Sequence, residues 1–247
     1  MKPIVIIPAR MASTRLPGKP LADIVGIPMI VRVWKQAVAA KVGPVVVACA
    51  EREIAQAVEF AGGRAVMTAP DLPSGSDRVY AALNAVDRSF EHDVVVNVQG
   101  DLPGLDPAQL RIAVDALVTA GGDIATLAAE IDSEADADNP NVTKVIAAWD
   151  VTAARGRALY FTRARAPWGK GPLYAHVGLY VYTRDALARF VGLPPSALEK
   201  REKLEQLRAL EAGMRITVGR VDSVPMSVDT PADLEKARTM LAREGFA

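Results

Sequence analysis

Short apolar runs alternate with segments of helical periodicity through the first half of the chain. Strands are predicted at residues 4–7, 45–50, 64–67 and 93–98. Most of these runs are rich in β-branched residues, which is typical of strands buried on both faces. Helices are predicted at residues 28–41, 51–61 and 107–120, where apolar residues recur every three or four positions. Because strands alternate with helices, the pattern predicts a parallel sheet in an α/β fold.

The pattern changes from residue 123 onward. Strands are predicted at residues 124–131, 144–149, 158–162, 175–183 and 215–221, and one helix at residues 197–211. Only an acidic stretch, EADADNPN, separates the first two of these strands, and it does not favour a helix. Thr230 and Pro231 then predict the start of a last helix, as a capping residue followed by proline. Strands without intervening helices predict a mixed or antiparallel sheet in this half.

Composition narrows the classes of partner. Lys plus Arg and Asp plus Glu each number 29 in 247 residues, so the formal net charge is zero. No general positive field therefore favours nucleic acid or an anionic membrane. The first apolar run is too short for a signal segment, and no stretch approaches the roughly 18 apolar residues of a membrane-spanning helix. We expect a cytoplasmic protein with neither nucleic-acid nor membrane partners, in which Cys49, the only cysteine, is a buried small side chain.

The segment after the first predicted strand, PARMASTRLPGKPL, has the composition of a phosphate-binding loop. Arg10, Arg15 and Lys19 supply positive charge, and Ser13 supplies a hydroxyl. A loop at the carboxyl end of a strand lies where α/β folds bind ligands, and backbone amides, Arg and Lys all bind phosphate oxygens. The spacing does not match the GxxxxGK[ST] phosphate loop. Taken alone, the segment is better explained as a solvated surface loop.

Two further loops carry candidate ligands. In SGSDRV, Ser74 and Asp77 fit a helix-capping pattern, and Gly75 would let the backbone approach a ligand. Asp101 directly follows the predicted strand 93–98 in NVQGDLP. A carboxylate there, beside a cationic loop, is suited to a divalent cation that bridges phosphates. The simpler alternative is an aspartate in a glycine- and proline-containing turn.

These segments together resemble the 3-deoxy-manno-octulosonate (Kdo) cytidylyltransferases. The resemblance rests on PARMASTRLPGKPL, SGSDRV, NVQGDLP, YFTRARAPW, HVGLY, LEQLR and VDTPADLE, which follow the family's order over almost the whole chain. It implies a Rossmann-like, mixed but mainly parallel sheet of the nucleotidyltransferase type, with a smaller sugar-binding and dimerisation subdomain. Within a single domain, residues 1–122 would bind the nucleotide, residues 123–225 would bind the acid sugar and form the dimer contact, and residues 226–247 would return to the core.

The resemblance also implies roles for individual residues. The catalytic residues would be Arg10, Lys19, Asp101 and Asp229, of which Asp101 and Asp229 would hold Mg²⁺. CTP would be bound by Pro8, Ala9, Arg10, Ser13, Lys19, Gly75, Arg78 and Gln99. The acid sugar would be bound by Arg163, His176, Tyr180, Glu205 and Gln206. Alternation along a strand places His176 and Tyr180 on one face, and a polyhydroxylated carboxylate needs such donors and acceptors together with a cation.

The reaction expected from the resemblance transfers CMP from CTP to the anomeric hydroxyl of Kdo and releases pyrophosphate, a step of lipopolysaccharide synthesis carried out by a homodimer. Alternatives remain: the same reaction on 8-amino-Kdo or another acid sugar, a uridylyl- or sialic-acid-type transferase, or a catalytically silent nucleotide-sugar-binding module. The chain departs from the family pattern at Leu102, where glutamate is usual, and around Met226, where more glycine is expected. These departures leave the sugar open.

Overall fold

The computed structural model describes residues 1–243, which form two compact units. Unit 1 comprises Met1–Leu110 and the chain from Pro225 onward, and unit 2 comprises Arg111–Val224. Among the described residues, no helix combines the length and the apolar character that crossing a membrane requires.

Strands and helices follow one another along the chain as listed here. The order is β1 (Pro3–Ala9), a 3-10 turn (Lys19–Leu21), β2 (Asp23–Ile24), β3 (Ile27–Pro28), α1 (Met29–Ala39), β4 (Val45–Cys49), α2 (Arg52–Phe60), β5 (Arg64–Met67), α3 (Gly75–Val86), β6 (Val94–Asn97), α4 (Pro107–Ala120), β7 (Ile124–Glu130), α5 (Glu134–Asp138), β8 (Lys144–Trp149), β9 (Arg155–Thr162), β10 (Tyr174–Thr183), α6 (Arg184–Gly192), α7 (Ala197–Glu202), α8 (Gln206–Glu211), β11 (Ile216–Val221) and α9 (Pro231–Arg243).

Unit 1 contains the predicted parallel sheet, in which β1 lies between β4 and β6, and β5 lies beyond β4. The prediction that Pro8 ends the first strand is wrong, because β1 continues to Ala9 and Pro8 pairs with Ala48. On the other side the ladder with β6 ends at Ile6, so the missing N–H of Pro8 removes no hydrogen bond there. Cys49 is fully buried, and burial raises its pKa to about 12, which excludes a reactive thiolate at neutral pH.

Unit 2 contains a mixed sheet in the order β10-β7-β11-β9-β8, and Ala175 of β10 also pairs with Lys144 of β8. The β7–β11 pair is parallel and the other pairs are antiparallel. The predicted mixed sheet is therefore confirmed. The acidic stretch does form a helix, contrary to prediction, because the Ser133 hydroxyl caps α5 by accepting a hydrogen bond from the Asp136 N–H.

The single helix predicted at residues 197–211 is two helices, α7 and α8. The break lies at Lys203, which has a left-handed backbone conformation with φ of 56°. Ser196 and Glu199 form a reciprocal capping box at the start of α7. The break brings Glu205 to the N-terminal end of α8, directly before Gln206.

Candidate active site

A cavity of about 410 Å³ opens in unit 1 beside the carboxyl end of β1. Its wall is formed by the loop after β1, the start of α3, the residues after β6, and Asp229. Every residue predicted to bind CTP and both predicted metal ligands line this cavity, namely Pro8, Ala9, Arg10, Ser13, Lys19, Gly75, Arg78, Gln99, Asp101 and Asp229. The fold thus brings together side chains from four separate parts of unit 1.

The two carboxylates in this cavity meet on one ammonium group. Lys19 Nζ lies 2.7 Å from Asp101 Oδ2 and 3.1 Å from Asp229 Oδ1. Burial lowers the pKa of Lys19, but the charges and hydrogen bonds of the two aspartates outweigh burial and raise it. Arg15 also lies 3.2 Å from Asp229 Oδ1, with its own side chain largely exposed. Two positively charged side chains, Lys19 and Arg15, therefore contact the two carboxylates.

The backbone explains how Asp229 reaches Asp101. The Val228 N–H donates to the Asp101 carbonyl oxygen at 2.9 Å, so the two segments run side by side. At the start of α9 the Thr230 hydroxyl accepts a hydrogen bond from the Asp233 N–H at 3.2 Å, which confirms the predicted cap. The Asp233 carboxylate in turn accepts from the Thr230 N–H at 3.0 Å. The apolar side of α9 packs into a cluster formed by Ile24, Met29, Val228, Leu234, Ala237 and Leu241. Capping and burial of α9 together hold Asp229 in place.

The loop after β1 is anchored by a carboxylate that sequence reasoning missed. The Met11 N–H donates to Glu51 Oε2 at 2.9 Å, and Glu51 directly follows β4, the neighbour of β1. Ser13 Oγ accepts a hydrogen bond from the Leu16 N–H at 3.3 Å, so this hydroxyl shapes the loop as well as lining the cavity. Gly18, with φ of 69°, allows the left-handed turn that precedes Lys19.

Two arginines, Arg10 and Arg78, add positive charge to the cavity. Arg78 is 2% exposed and donates to the Thr68 hydroxyl and to the carbonyl oxygens of Ala69 and Pro70. Burial, and then the nearby charge of Arg10, lower the pKa of Arg78. Within residues 1–243 the Arg10 guanidinium has no hydrogen bond or ion pair. Two cations that share one cavity favour a phosphate ligand.

The residues after β6 are packed directly against β1. A Cβ at Gly100 would lie 3.0 Å from the Pro8 carbonyl oxygen, so a larger residue would require the main chain of β1 to shift by a few tenths of an ångström. Gln99 Nε2 donates to Asn97 Oδ1 at 3.3 Å, which orients the amide. Leu102 and Met226, where the chain departs from the family pattern, do not line the cavity within the described residues, and Leu102 is buried.

In unit 2, the predicted sugar-binding residues of β10 lie at an irregularity of the strand. Val177 pairs with Leu127 and Val181 with Ala125, so four steps along β10 correspond to two along β7. In a regular strand, residues four apart are separated by roughly 13 Å. The ring centroids of His176 and Tyr180 are only 5.5 Å apart. The predicted common face is confirmed, and the bulge brings the two rings into contact.

Burial changes the titration of both rings. It lowers the pKa of His176 to about 3. Burial, and then the charges of Tyr182 and Glu205, raise the pKa of Tyr180 well above its usual value. At neutral pH both side chains are therefore neutral hydrogen-bonding groups. The influence of Glu205 on Tyr180 also shows that the N-terminal end of α8 lies near β10.

Arg163 and Glu202 form a reciprocal clamp between β9 and the α7–α8 junction. The Arg163 guanidinium donates to the carbonyl oxygens of Glu202, Pro140 and Lys203 at 2.8, 3.0 and 3.5 Å. The Glu202 carboxylate accepts from the Arg163 N–H at 3.0 Å and from the Thr162 hydroxyl at 2.8 Å. The structure thus places the guanidinium of Arg163 on three backbone carbonyls.

The clamp precedes a buried amide on α8. Gln206 is 5% exposed, and its Nε2 atom has no hydrogen-bond partner within residues 1–243. A buried polar atom without a partner costs about 1–3 kcal/mol. Functional sites commonly tolerate such a cost because a ligand supplies the missing partner.

Glu202→Gln is expected to lower the free energy of unfolding by about 1–3 kcal/mol, because the NH₂ group replaces one of the two oxygens that accept from the Arg163 N–H and the Thr162 hydroxyl and cannot accept in its place. Burial raises the pKa of Glu202, but its hydrogen bonds outweigh burial and lower it below 4.5. The native carboxylate therefore stabilises the fold at neutral pH and loses this contribution as the pH falls through the folded-state pKa. Urea unfolding at pH 7 and pH 4 measures the loss. Glu59→Gln, at an exposed position on α2, is the matched control, and equal stability of the two variants at pH 7 would contradict the clamp.

Comparison with known proteins agrees with this geometry. A family model described as Cytidylyltransferase matches residues 4–216. The 3-deoxy-manno-octulosonate cytidylyltransferase of Parvibaculum lavamentivorans is 67% identical over 241 residues, covering 98% of this chain and 93% of the relative. The enzyme of the same name from Rhodospirillum centenum is 61% identical over 239 residues, covering 97% and 93%.

A solved structure has the same fold over the full chain. It is described as CMP:2-keto-3-deoxy-manno-octonic acid synthetase complexed with CTP, and it superposes with a TM-score of 0.90 at 39% identity, covering 99% of this chain and 100% of that chain. The α/β architecture with its mixed sheet is therefore that of the nucleotidyltransferase fold. With the family model and the curated relatives, it shows that this chain belongs to the 3-deoxy-manno-octulosonate cytidylyltransferase family.

Proposed function

We propose that this enzyme transfers CMP from CTP to the anomeric hydroxyl of 3-deoxy-manno-octulosonate, releasing pyrophosphate and supplying CMP-Kdo for lipopolysaccharide synthesis. The observation that carries the proposal is the cavity of unit 1, in which two carboxylates and several cations converge. Its residues coincide with the motifs that the chain shares with this family. The hydroxyl oxygen forms a bond to the α-phosphorus, the bond from that phosphorus to the pyrophosphate oxygen breaks, and the hydroxyl proton is released to water or to the leaving pyrophosphate.

The chain's own residues act by alignment and charge. Arg10 and Lys19 bind the phosphate oxygens and stabilise the charge that develops on the leaving pyrophosphate. The amides at the start of α3, where Gly75 exposes the backbone, add donors to the same anion. No covalent enzyme intermediate is needed, because positioning and charge neutralisation account for most catalysis of phosphoryl transfer.

Asp101 and Asp229 would hold Mg²⁺. Carboxylate oxygens are the ligands that Mg²⁺ prefers, in sites completed by substrate phosphates and water. The fit is supported by the Lys19 ammonium, because both carboxylates already share one cation. When bound, the metal ion supplies further neutralisation of phosphate charge.

The acid sugar is proposed to bind unit 2 through Arg163, His176, Tyr180, Glu205 and Gln206. Support comes from the His176–Tyr180 contact and from the buried Nε2 of Gln206. With a pKa of about 3, His176 is a poor general base at neutral pH, so these residues recognise hydroxyl and carboxylate groups. The clamped guanidinium of Arg163 then contributes charge from a fixed position.

Pyrophosphate release from the full chain tests the proposed reaction. We expect release with CTP, Kdo and Mg²⁺ together, and none with ATP, GTP or UTP, without Kdo, or with EDTA. Adding Mg²⁺, Mn²⁺ or Ca²⁺ back to the EDTA-treated sample identifies the metal. Faster release with 8-amino-Kdo or sialic acid would replace the sugar in the proposal. Binding of CTP without release for any of these sugars would favour a silent binding module.

A homodimer in the cytoplasm completes the proposal, on the strength of the family resemblance. Light scattering coupled to gel filtration measures the mass of the assembly directly. A mass of twice 26.3 kDa is expected, and a monomer that retains full activity would contradict the dimer.

A further inference from the structure

Thr126 of β7 makes contacts that determine which nitrogen of His176 carries a proton. The side chain is fully buried. Its Oγ1 lies 2.9 Å from His176 Nε2, 3.0 Å from the Val177 carbonyl oxygen and 2.8 Å from the Leu179 carbonyl oxygen. One hydroxyl group therefore lies within hydrogen-bond distance of three polar atoms.

A hydroxyl has a single hydrogen, whereas a carbonyl oxygen can only accept. If the hydrogen pointed at the ring nitrogen, both carbonyl oxygens would face the lone pairs of Oγ1 with no hydrogen between them. If the hydrogen points at the carbonyl oxygens, Oγ1 offers a lone pair to the ring. In the second arrangement the single hydrogen is donated to one carbonyl oxygen or shared between the two, and the ring nitrogen donates to Oγ1. This arrangement requires His176 to carry its proton on Nε2.

The same contacts explain the bulge of β10. Thr126 lies opposite Gly178, Leu179 and Tyr180, between the paired positions Ala125 and Leu127. Its hydroxyl bridges the carbonyl groups before and after Gly178, on the strand that presents His176. Thr126 therefore holds both the main chain of the bulge and the imidazole ring.

His176 lies on a half-exposed face of β10. Nδ1 of His176 makes no hydrogen bond within residues 1–243, and the residue is of intermediate exposure, although its ring is enclosed enough for burial to lower its pKa. Gly178 lies on the same half-exposed face, and a Cβ added there would meet no atom within 4 Å. An unprotonated Nδ1 can accept a hydrogen bond, and within residues 1–243 no group donates one to it.

We propose that Thr126 is a positioning residue that fixes neutral His176 as the Nε2–H tautomer, so that Nδ1 accepts a hydrogen bond from a hydroxyl group of the acid sugar. This inference rests on the proposed function for the identity of the ligand. The tautomer and its dependence on Thr126 rest on the geometry alone. An acceptor at this point favours substrates that place a hydroxyl there over analogues that lack it.

Nuclear magnetic resonance of protein labelled with ¹⁵N-histidine tests the tautomer without any turnover. The chain has two histidines, and His92→Gln assigns the signals of His176. Long-range ¹H–¹⁵N correlations should show a protonated Nε2 and a bare Nδ1 in the unmodified protein. Addition of Kdo should shift the Nδ1 resonance. A protonated Nδ1 in the unmodified protein would overturn the proposal.

Two matched variants test the role of the hydroxyl. Thr126→Val keeps the shape but can neither donate nor accept, whereas Thr126→Ser keeps the hydroxyl. We expect Thr126→Val to lose the single tautomer and to raise the KM for Kdo about tenfold, with the KM for CTP unchanged, and Thr126→Ser to restore both. Circular dichroism and the KM for CTP show whether Thr126→Val is folded, and Thr126→Ser supplies the comparison if it is not.

The outcomes separate this inference from the proposed function. If the unmodified protein releases no pyrophosphate with Kdo, the proposed function fails, while the tautomer is still decided by the spectra. If Thr126→Val keeps the Nε2–H tautomer, or if Thr126→Ser behaves like Thr126→Val, the positioning role is wrong even in an enzyme that is active on Kdo.

Discussion

Asp101→Asn is expected to lower kcat on the order of 10²–10³-fold while leaving the fold intact. The substitution keeps the size of the side chain and removes the negative charge that Lys19 contacts at 2.7 Å. Asp101 is partly exposed, so the amide is tolerated in the folded state. Initial rates of pyrophosphate release measure the loss, and Asp229→Asn should show a similar one.

The control for this experiment is Asp132→Asn, which makes the same chemical change at an exposed site in unit 2. Thermal unfolding of all three variants should lie close to that of the unmodified chain. An Asp101→Asn enzyme with turnover within tenfold of the unmodified enzyme would remove Asp101 from the catalytic residues. A large loss of turnover that accompanied unfolding would be structural and would also count against the assignment.

Lys19→Met is expected to separate two functions of the ammonium group, namely binding of phosphate and neutralisation of the two aspartates. It removes a cation from the proposed phosphate site, so turnover should fall on the order of 10²–10³-fold. It also leaves Asp101 and Asp229 without the cation that they share. A unit charge at this distance is worth about 4 kcal/mol near a protein surface, so the variant should bind a divalent cation at least about tenfold more tightly in the absence of nucleotide.

Calorimetric titration with Mn²⁺, without CTP, measures this gain directly and does not depend on activity. Lys35→Met, at an exposed position on α1, controls for loss of a surface charge. Unchanged Mn²⁺ affinity in Lys19→Met would mean that the ammonium does not compete with a metal for the two carboxylates. Asp101 and Asp229 would then need another explanation for their approach.

Elements with local signals could be predicted from the sequence within a residue or two. Examples are β4, β5 and α4, where apolar runs or helical periodicity end at glycine, proline or a capping residue. The hairpin of β2 and β3 was missed because two residues per strand are too few for a period. Its turn uses a positive φ at Val25, which is uncommon for a β-branched residue.

The break between α7 and α8 had no local signal either. Neither glycine nor proline lies near Lys203, and the carbonyl groups on both sides of the break accept from Arg163, which is about 40 residues earlier in the chain. A helix that ends because a distant side chain binds its last carbonyl groups cannot be recognised from periodicity. The tertiary contact, and not the propensity of the segment, sets this boundary.

The candidate site, like the fold, could be predicted only in part. The motifs predicted which residues would line the cavity, because each motif follows a strand or begins a helix. The contacts between these residues could not be predicted, because residues such as Lys19 and Asp229 are 210 positions apart. Glu51 and Thr126 were not predicted as site residues. Glu51 contacts a backbone N–H group and Thr126 contacts an imidazole ring, and these contacts can be recognised only once the pairing of the strands is known.

The bulge of β10 has a consequence for how sugar specificity can change. Opposite Thr126, β10 is two residues longer than a regular partner of β7 would be. Deletion of two residues between His176 and Tyr180 would restore a regular ladder and change the position of Tyr180 relative to His176, without replacing either side chain. If these residues bind the sugar as proposed, substrate choice can be changed, by evolution or by engineering, through the length of one strand as well as through the identity of its residues.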